Sequence, residues 1–403
     1  MIKIENIEKI IETCDKYEDE TIDLRRKIHE NPELSNEEYE TSQMVENYLL
    51  DLGIEVQRLG ETGIVGTIHG KAKGKVLLLR ADMDALPIQE KTDLSFKSKK
   101  NGIMHACGHD VHTSNLLIVS KILNELKDNW IGTVKVLFQP AEEKGGGGRD
   151  MIELGVLENP KVDMAMALHV TPVKSGEIVV ERGNITAFSD AFDIIVKGKK
   201  AHTMKAEEGI DAINIASHIV VALNSIIIKN INSFDSATFS IGIINGGTAA
   251  NIVSDRVDLR GMMRSLNSRS RDIMKKRIKE ISKGTAEMFG GESEIIFTEG
   301  YPSVFNNKSM ANDISKVFIK NSQELYKDLF IDHPEEYILT EIDPVMASED
   351  FGFFAQKIPS LYYLVGTGGG KSAHSSEFYV EEKWIKLCTR SMVVGAINFL
   401  SEY

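Results

Sequence analysis

The chain has 403 residues, 42% apolar and 27% charged, with a net charge of −13. That length exceeds what one hydrophobic core usually organises, so two domains are expected. The acidic balance excludes a general nucleic-acid surface, which needs a basic face, although a few local cations could still hold an anionic substrate.

The first twenty residues, MIKIENIEKIIETCDKYEDE, are charged throughout and lack the apolar core and small-residue cleavage site of a signal peptide. No stretch approaches the roughly 18 apolar residues that span a bilayer, so no membrane role is expected. Cys14, Cys107 and Cys388 are too few and too widely spaced for a disulfide framework, and a cytoplasmic location follows as the expectation. Apolar positions recur every three or four residues over 4–30 and 35–52, which predicts helices. Residues 75–80 (KVLLLR) predict a buried strand running into Ala81-Asp82-Met83-Asp84. A helix is predicted after Cys107-Gly108-His109, then a second buried strand over 133–138 that ends at Gln139-Pro140-Ala141-Glu142-Glu143. A glycine run at 145–148, a helix to Leu154 and a third strand at 163–169 follow. Alternating strands and helices indicate an α/β domain with a mainly parallel sheet and helices on both faces. Its polar residues gather at the carboxyl ends of the strands, where open sheets of this kind place ligands.

The pattern changes near residue 185. Strands at 190–197, 238–245, 256–263 and 294–298 alternate with helices at 210–228 and 268–288, the split β-α-β-β-α-β order of a ferredoxin-like α+β domain. After about 300 a helix near 309–326, a strand at 360–365 and a helix at 383–401 return to the first domain. The expected division is therefore 1–185 with 300–403, and an insert at 186–299.

The densest chemistry lies in Met104-His105-Ala106-Cys107-Gly108-His109-Asp110-Val111-His112, which puts a thiol, three imidazoles and a carboxylate in one short run. These are the ligand types of a borderline-soft divalent metal, although a lone cysteine or histidine would read as structural. Glu142 and Glu143 follow a buried strand, where one acid can bind metal while its neighbour takes a proton from water. His169 ends an apolar strand and His374 sits in a glycine-rich loop, GTGGGKSAHSSE. A backbone-satisfied core histidine and a surface-loop histidine are the plainer readings of these two.

The segments RADMDALPI, MHACGHDVH, FQPAEE, ALHV and AHSSEF occur in one order along the chain, from LRRKIHENPELSNEE at 24–38 to SSEFYVEE at 375–382. Together they resemble the two-metal aminoacylase/carboxypeptidase family, and most closely its hippurate hydrolases, auxin-conjugate amidohydrolases and N-acetyldiaminopimelate deacetylases. The resemblance implies a zinc-peptidase-like catalytic domain with an inserted lid and dimerisation domain. It implies two divalent metals per subunit, Zn2+ or Mn2+ with Co2+ or Ni2+ as alternatives. Cys107 would bridge them as thiolate, and His109, Glu143, His169 and His374 match the other ligand positions. Glu142 matches the general base, Asp84 the carboxylate that orients the metal shell, and Asp82 an assisting acid. His202 matches a histidine that reaches across a homodimer to the oxyanion. Asn251 and Arg264 match positions that hold the substrate carboxylate.

The implied activity is hydrolysis of the amide bond of N-acyl amino acids. A metallocarboxypeptidase or dipeptidase using the same site is the alternative, and a catalytically silent metal-binding protein or a thiol-redox role for Cys107 are the rivals outside that class. Two departures stand out. Thr203-Met204-Lys205-Ala206-Glu207 replaces the sequence usual after His202, and Ser254 stands where relatives often have proline. Both fall in the lid and bear on which acyl group or amino acid is accepted.

Overall fold

A computed structural model of the chain describes residues 7–172 and 174–402. Their backbone forms two compact units, residues 1–185, 304–343 and 350–403 in the first and 186–303 with 344–349 in the second. The expected helix from residue 4 has its first three positions outside the described residues. Beyond them it is two helices, α1 (Ile7–Lys16) and α2 (Glu18–Glu30), broken at Tyr17, whose ψ of 12 takes it out of helical geometry. Helix α3 (Tyr39–Asp51) follows.

An antiparallel hairpin, β1 (Glu55–Leu59) and β2 (Gly63–His69), comes next and was not anticipated. The first-unit core is then laid down by β3 (Val76–Asp82), α4 (His109–Glu125), β4 (Thr133–Gln139), α5 (Gly147–Glu153), β5 (Met164–Thr171) and the short β6 (Ile178–Val179). The second unit contributes β7 (Phe188–Lys197), α6 (Ala212–Leu223), α7 (Ile226–Asn230), β8 (Ala237–Gly246), β9 (Arg256–Ser265), α8 (Ser268–Met288) and β10 (Glu292–Glu299). The single helix expected at 210–228 is therefore two, parted at Asn224-Ser225. On its return the chain adds α9 (Lys308–Lys320), β11 (Ile338–Leu339), β12 (Ser360–Gly366) and a C-terminal helix, Ile385–Glu402.

In the first unit the eight strands run in the order β1-β2-β4-β3-β5-β12-β6-β11. The middle four are parallel, with Asp82 beside Gln139 and Gly366 beside Thr171 at their carboxyl ends. Every residue of β3 is buried, as expected for a strand covered on both faces. Because the four strands finish together, the loops carrying Asp84, Glu142, Glu143 and His374 leave from one edge, beside His169 near the end of β5.

The second unit has a four-stranded antiparallel sheet in the order β8-β9-β7-β10, with α6 and α8 packed on it through Ile215, Ile219, Met274 and Ile278. No helix among the described residues is long and apolar enough to cross a membrane.

Candidate metal centre

Helix α4 begins at His109 because Gly108 reverses the chain with φ +87°, where a Cβ would also meet Val170 Cγ2 at 2.3 Å. Glycine alone tolerates both demands. Cys107 is thereby carried over the end of β5, its Sγ 3.5 Å from His169 Nε2. His109 Nδ1 donates to the Asp84 carbonyl at 2.8 Å, and His169 Nδ1 donates to the Val170 carbonyl at 2.6 Å. A carbonyl can only accept, so each ring is fixed with Nε2 facing the centre.

The two acids after β4 are held by their backbone. Asp84 Oδ1 accepts the Glu142 N–H at 3.1 Å and Oδ2 accepts the Glu143 N–H at 2.9 Å, while Ser35 Oγ donates to Oδ2 at 2.6 Å. His374, at φ 65°, is seated by its own N–H on the Ala106 carbonyl at 2.8 Å. Its Nε2 comes within 3.3 Å of Glu143 Oε1, which raises the imidazole above its ordinary range.

The donor atoms of Cys107, His109 and His169 lie within 4.8 Å of one another, as do those of Cys107, Glu143 and His374. Cys107 alone is common to both sets. A third set joins His109, Glu142 and Glu143, and so places Glu142 against the same space. His109 Nε2 is buried with no hydrogen-bond partner among the described residues, and Glu143 Oε1, equally buried, has only the His374 ring at 3.3 Å. A buried imidazole nitrogen without a partner, in a site of thiol, imidazole and carboxylate, is what a divalent cation would satisfy, so the residues present fit one.

Electrostatics divide the ligands into one already in its binding form and two that must lose a proton. Burial pushes the Cys107 thiol up to about 12, so its thiolate needs a positive neighbour. Burial and the nearby His112 hold His169 well below the imidazole range, in the neutral form a metal requires. Burial opposes a proton on His109, but Asp82 and Cys107 outweigh it and raise this ring, so His109, like Cys107, must give up a proton to serve as a ligand.

Asp82 serves the histidine His112, to which the sequence analysis gave no role. His112 Nδ1 donates to Asp82 Oδ1 at 2.6 Å, and its Nε2 accepts the Val170 N–H at 2.9 Å. The other Asp82 oxygen takes Arg80 Nη1 at 2.5 Å, and Arg80 Nη2 reaches Asp350 Oδ1 at 2.6 Å. On the far side of α4, Asp110 accepts from Arg25 Nε at 2.7 Å and His29 Nδ1 at 2.8 Å, pinning the first turn of that helix to α2. The i, i+3 spacing of His109 and His112 was the available signal for His112. The Arg25 and Arg80 pairs carry no local signal.

His202, Asn251 and Arg264 belong to the second unit. His202 Nδ1 accepts the Met204 N–H at 3.1 Å, which makes Nε2 the protonated nitrogen, and the Asn251 side-chain amide lies 3.4 Å from it. Arg264 Nη1 donates to the Met346 carbonyl at 2.7 Å.

The model of peptidase family M20/M25/M40 matches residues 78–394. The chain belongs to this family. It is 38% identical over 404 residues to thermostable carboxypeptidase 2 of Saccharolobus solfataricus, covering 98% of each chain. It is 37% identical over 379 residues to the hippurate hydrolase of Campylobacter jejuni, covering 94% of this chain and 96% of the relative. Among solved structures it resembles a dinuclear metal-binding M20 peptidase of Bacillus subtilis, with a TM-score of 0.83 at 30% identity over 96% of this chain and 99% of that one. As an M20 member the chain is a hydrolase.

Proposed function

We propose that the chain hydrolyses the amide bond of N-acyl amino acids, with Glu142 as general base beside two divalent cations. The observation that carries this reading is the sharing of Cys107 between two sets of donors, with Glu142 against the same space. Cys107, His109 and His169 would hold one ion, and Cys107, Glu143 and His374 the other. Bound there, the pair would lower the pKa of a shared water and polarise the amide carbonyl. Thiolate, imidazole and carboxylate together suit zinc, with manganese, cobalt or nickel as alternatives.

Glu142 accepts the proton of the attacking water and returns it to the leaving amine. Asp84 keeps Glu142 and Glu143 in place through their backbone N–H groups. Arg264, whose planar fork suits a carboxylate, anchors the substrate's free acid with Asn251. His202 Nε2–H steadies the oxyanion across a homodimer, and a donor so aimed contributes about 3–4 kcal/mol. In this reading the second unit is both lid and dimerisation surface. Support for pairing comes from β8, an edge strand without a charged residue that exposes Ile243 and Ile244, whereas β10 at the other edge carries three glutamates.

The carboxypeptidase relative at 38% identity favours a second reading, cleavage of small peptides by the same site. Assays of N-acetyl and N-benzoyl amino acids against dipeptides separate the two. Glu142→Gln should keep both metals and lose nearly all turnover, and near-normal hydrolysis by that variant removes Glu142 from the base role.

A further inference from the structure

Three consecutive backbone N–H groups, those of Ala141, Glu142 and Glu143, all end on buried carboxylates. Asp84 takes the second and third. The first goes to Glu38 Oε1 at 2.9 Å. Two successive N–H groups on one carboxylate, those of Glu142 and Glu143 on Asp84, make the kind of nest that ordinarily cradles an anion, and here the chain supplies its own. The turn that makes the nest is an uncomfortable one. Ala141 has φ 57°, the left-handed region that a residue with a Cβ disfavours, and it follows Pro140. Such a conformation persists only where its surroundings impose it.

Glu38 is built to impose it. The residue is fully buried just before α3, and its Oε1 also accepts the Asn36 N–H at 3.0 Å while Oε2 accepts Thr62 Oγ1 at 3.0 Å. Both oxygens are thus fixed by groups outside the metal centre, and Glu38 appears in none of the donor sets there. We infer that Glu38 is a positioning residue for Glu142: it locks Ala141 in the left-handed turn that sets where the Glu142 carboxylate stands. Asp84 fixes the two acids from one side, and Glu38 fixes the residue before them from the other. Losing Glu38 frees Ala141 to relax and tilts Glu142 about the N–H bond that still ties it to Asp84, while Glu143, one residue further from the released turn, stays in place. This rests on Glu142 being the base.

The test compares Glu38→Ala, Glu38→Asp and Glu38→Gln in the metal-loaded full chain. Asp keeps a carboxyl group but withdraws the acceptor from the Ala141 N–H, whereas Gln keeps an oxygen within reach. Turnover of N-benzoylglycine and N-acetyl amino acids, bound metal, and backbone amide exchange over residues 136–146 are measured together. The expected result is a loss in kcat of about 10- to 100-fold for Ala and Asp, with KM and two metals per chain retained. Gln should stay within about threefold of the parent, and exchange over 136–146 should quicken in Ala and Asp only. Unchanged exchange in Glu38→Asp overturns the inference whatever the turnover, as does parental kcat in Ala or Asp, a Gln variant as damaged as Asp, or a kcat loss that follows loss of metal. Should Glu38→Ala not fold, the Asp and Gln pair decides alone. Glu142→Gln runs alongside: its full activity would overturn the base assignment, and with it the inference, whereas an inactive Glu142→Gln beside a normal Glu38→Asp overturns the role of Glu38 alone.

Discussion

His112 and His169 hold the two ends of one peptide residue, Val170. His112 Nε2 accepts its N–H at 2.9 Å and His169 Nδ1 donates to its carbonyl at 2.6 Å, and both rings carry their proton on Nδ1, since His112 Nδ1 donates to Asp82. Their centroids are 4.5 Å apart. Asp82, below His112, sets the first tautomer, and through Val170 that choice reaches the ring that faces Cys107.

Partners of this kind set the orientation of a metal-binding ring, and their loss usually costs 10- to 100-fold in affinity. His112→Phe keeps the packing and deletes both hydrogen bonds. It is expected to fold, and to bind divalent metal about 10- to 100-fold more weakly in a competition titration with a chelator. An unaltered affinity would separate His112 from the centre.

Metal uptake should also release protons. Burial pushes the Cys107 thiol up to about 12, so at pH 7 it is protonated and must give up its proton to become a ligand. Rising pH therefore strengthens binding through this group, about tenfold per unit, throughout the range below 12. Cys107→Asp supplies a ligand that is already ionised. Calorimetry in buffers of different ionisation enthalpy should find one fewer proton released per chain by that variant than by the parent, and equal release would deny Cys107 the role of thiolate ligand.

The second unit gives a pH prediction clear of the metal. Asp190 is buried, which raises a carboxyl, but the Arg271 fork at 2.6 Å to both oxygens, with Lys275, prevails and holds it below the ordinary value. A depressed folded pKa gives stability that is present above the unfolded value of about 3.9 and is lost as pH falls through the folded one. Asp190→Asn takes the charged acceptor from Arg271, leaving it Glu299 at 3.5 Å, and should cost about 2 kcal/mol at pH 7. Denaturant unfolding at pH 7 and pH 3 should show the gap between variant and parent narrowing at the lower pH. A gap that widens would contradict the ion pair.

The strands that place the site were readable because they are short, mainly apolar and buried on both faces. Thus 75–80, 133–138 and 163–169 lie within a residue or two of β3, β4 and β5, and α8 begins and ends where the 3.6-residue pattern says. The hairpin β1–β2 was not readable, since β1 is half exposed and β2 carries two glycines. Nor was the membership of 344–349 in the second unit, which shows in tertiary contacts such as that of Arg264 with Met346. In the site, ligand types and their order were legible. The supports were not. Glu38, His112 and Asp350 act on the site through partners tens to hundreds of residues away, a property that no local pattern encodes.

The measurement that bears most directly on the central claim is anomalous X-ray diffraction from crystals of the reduced protein loaded with manganese or zinc. Two peaks should appear on either side of Cys107 Sγ, one against His109 and His169 and the other against Glu143 and His374, with the Glu142 carboxylate facing the gap between them. A single peak, or a pair that does not share Cys107, would contradict it.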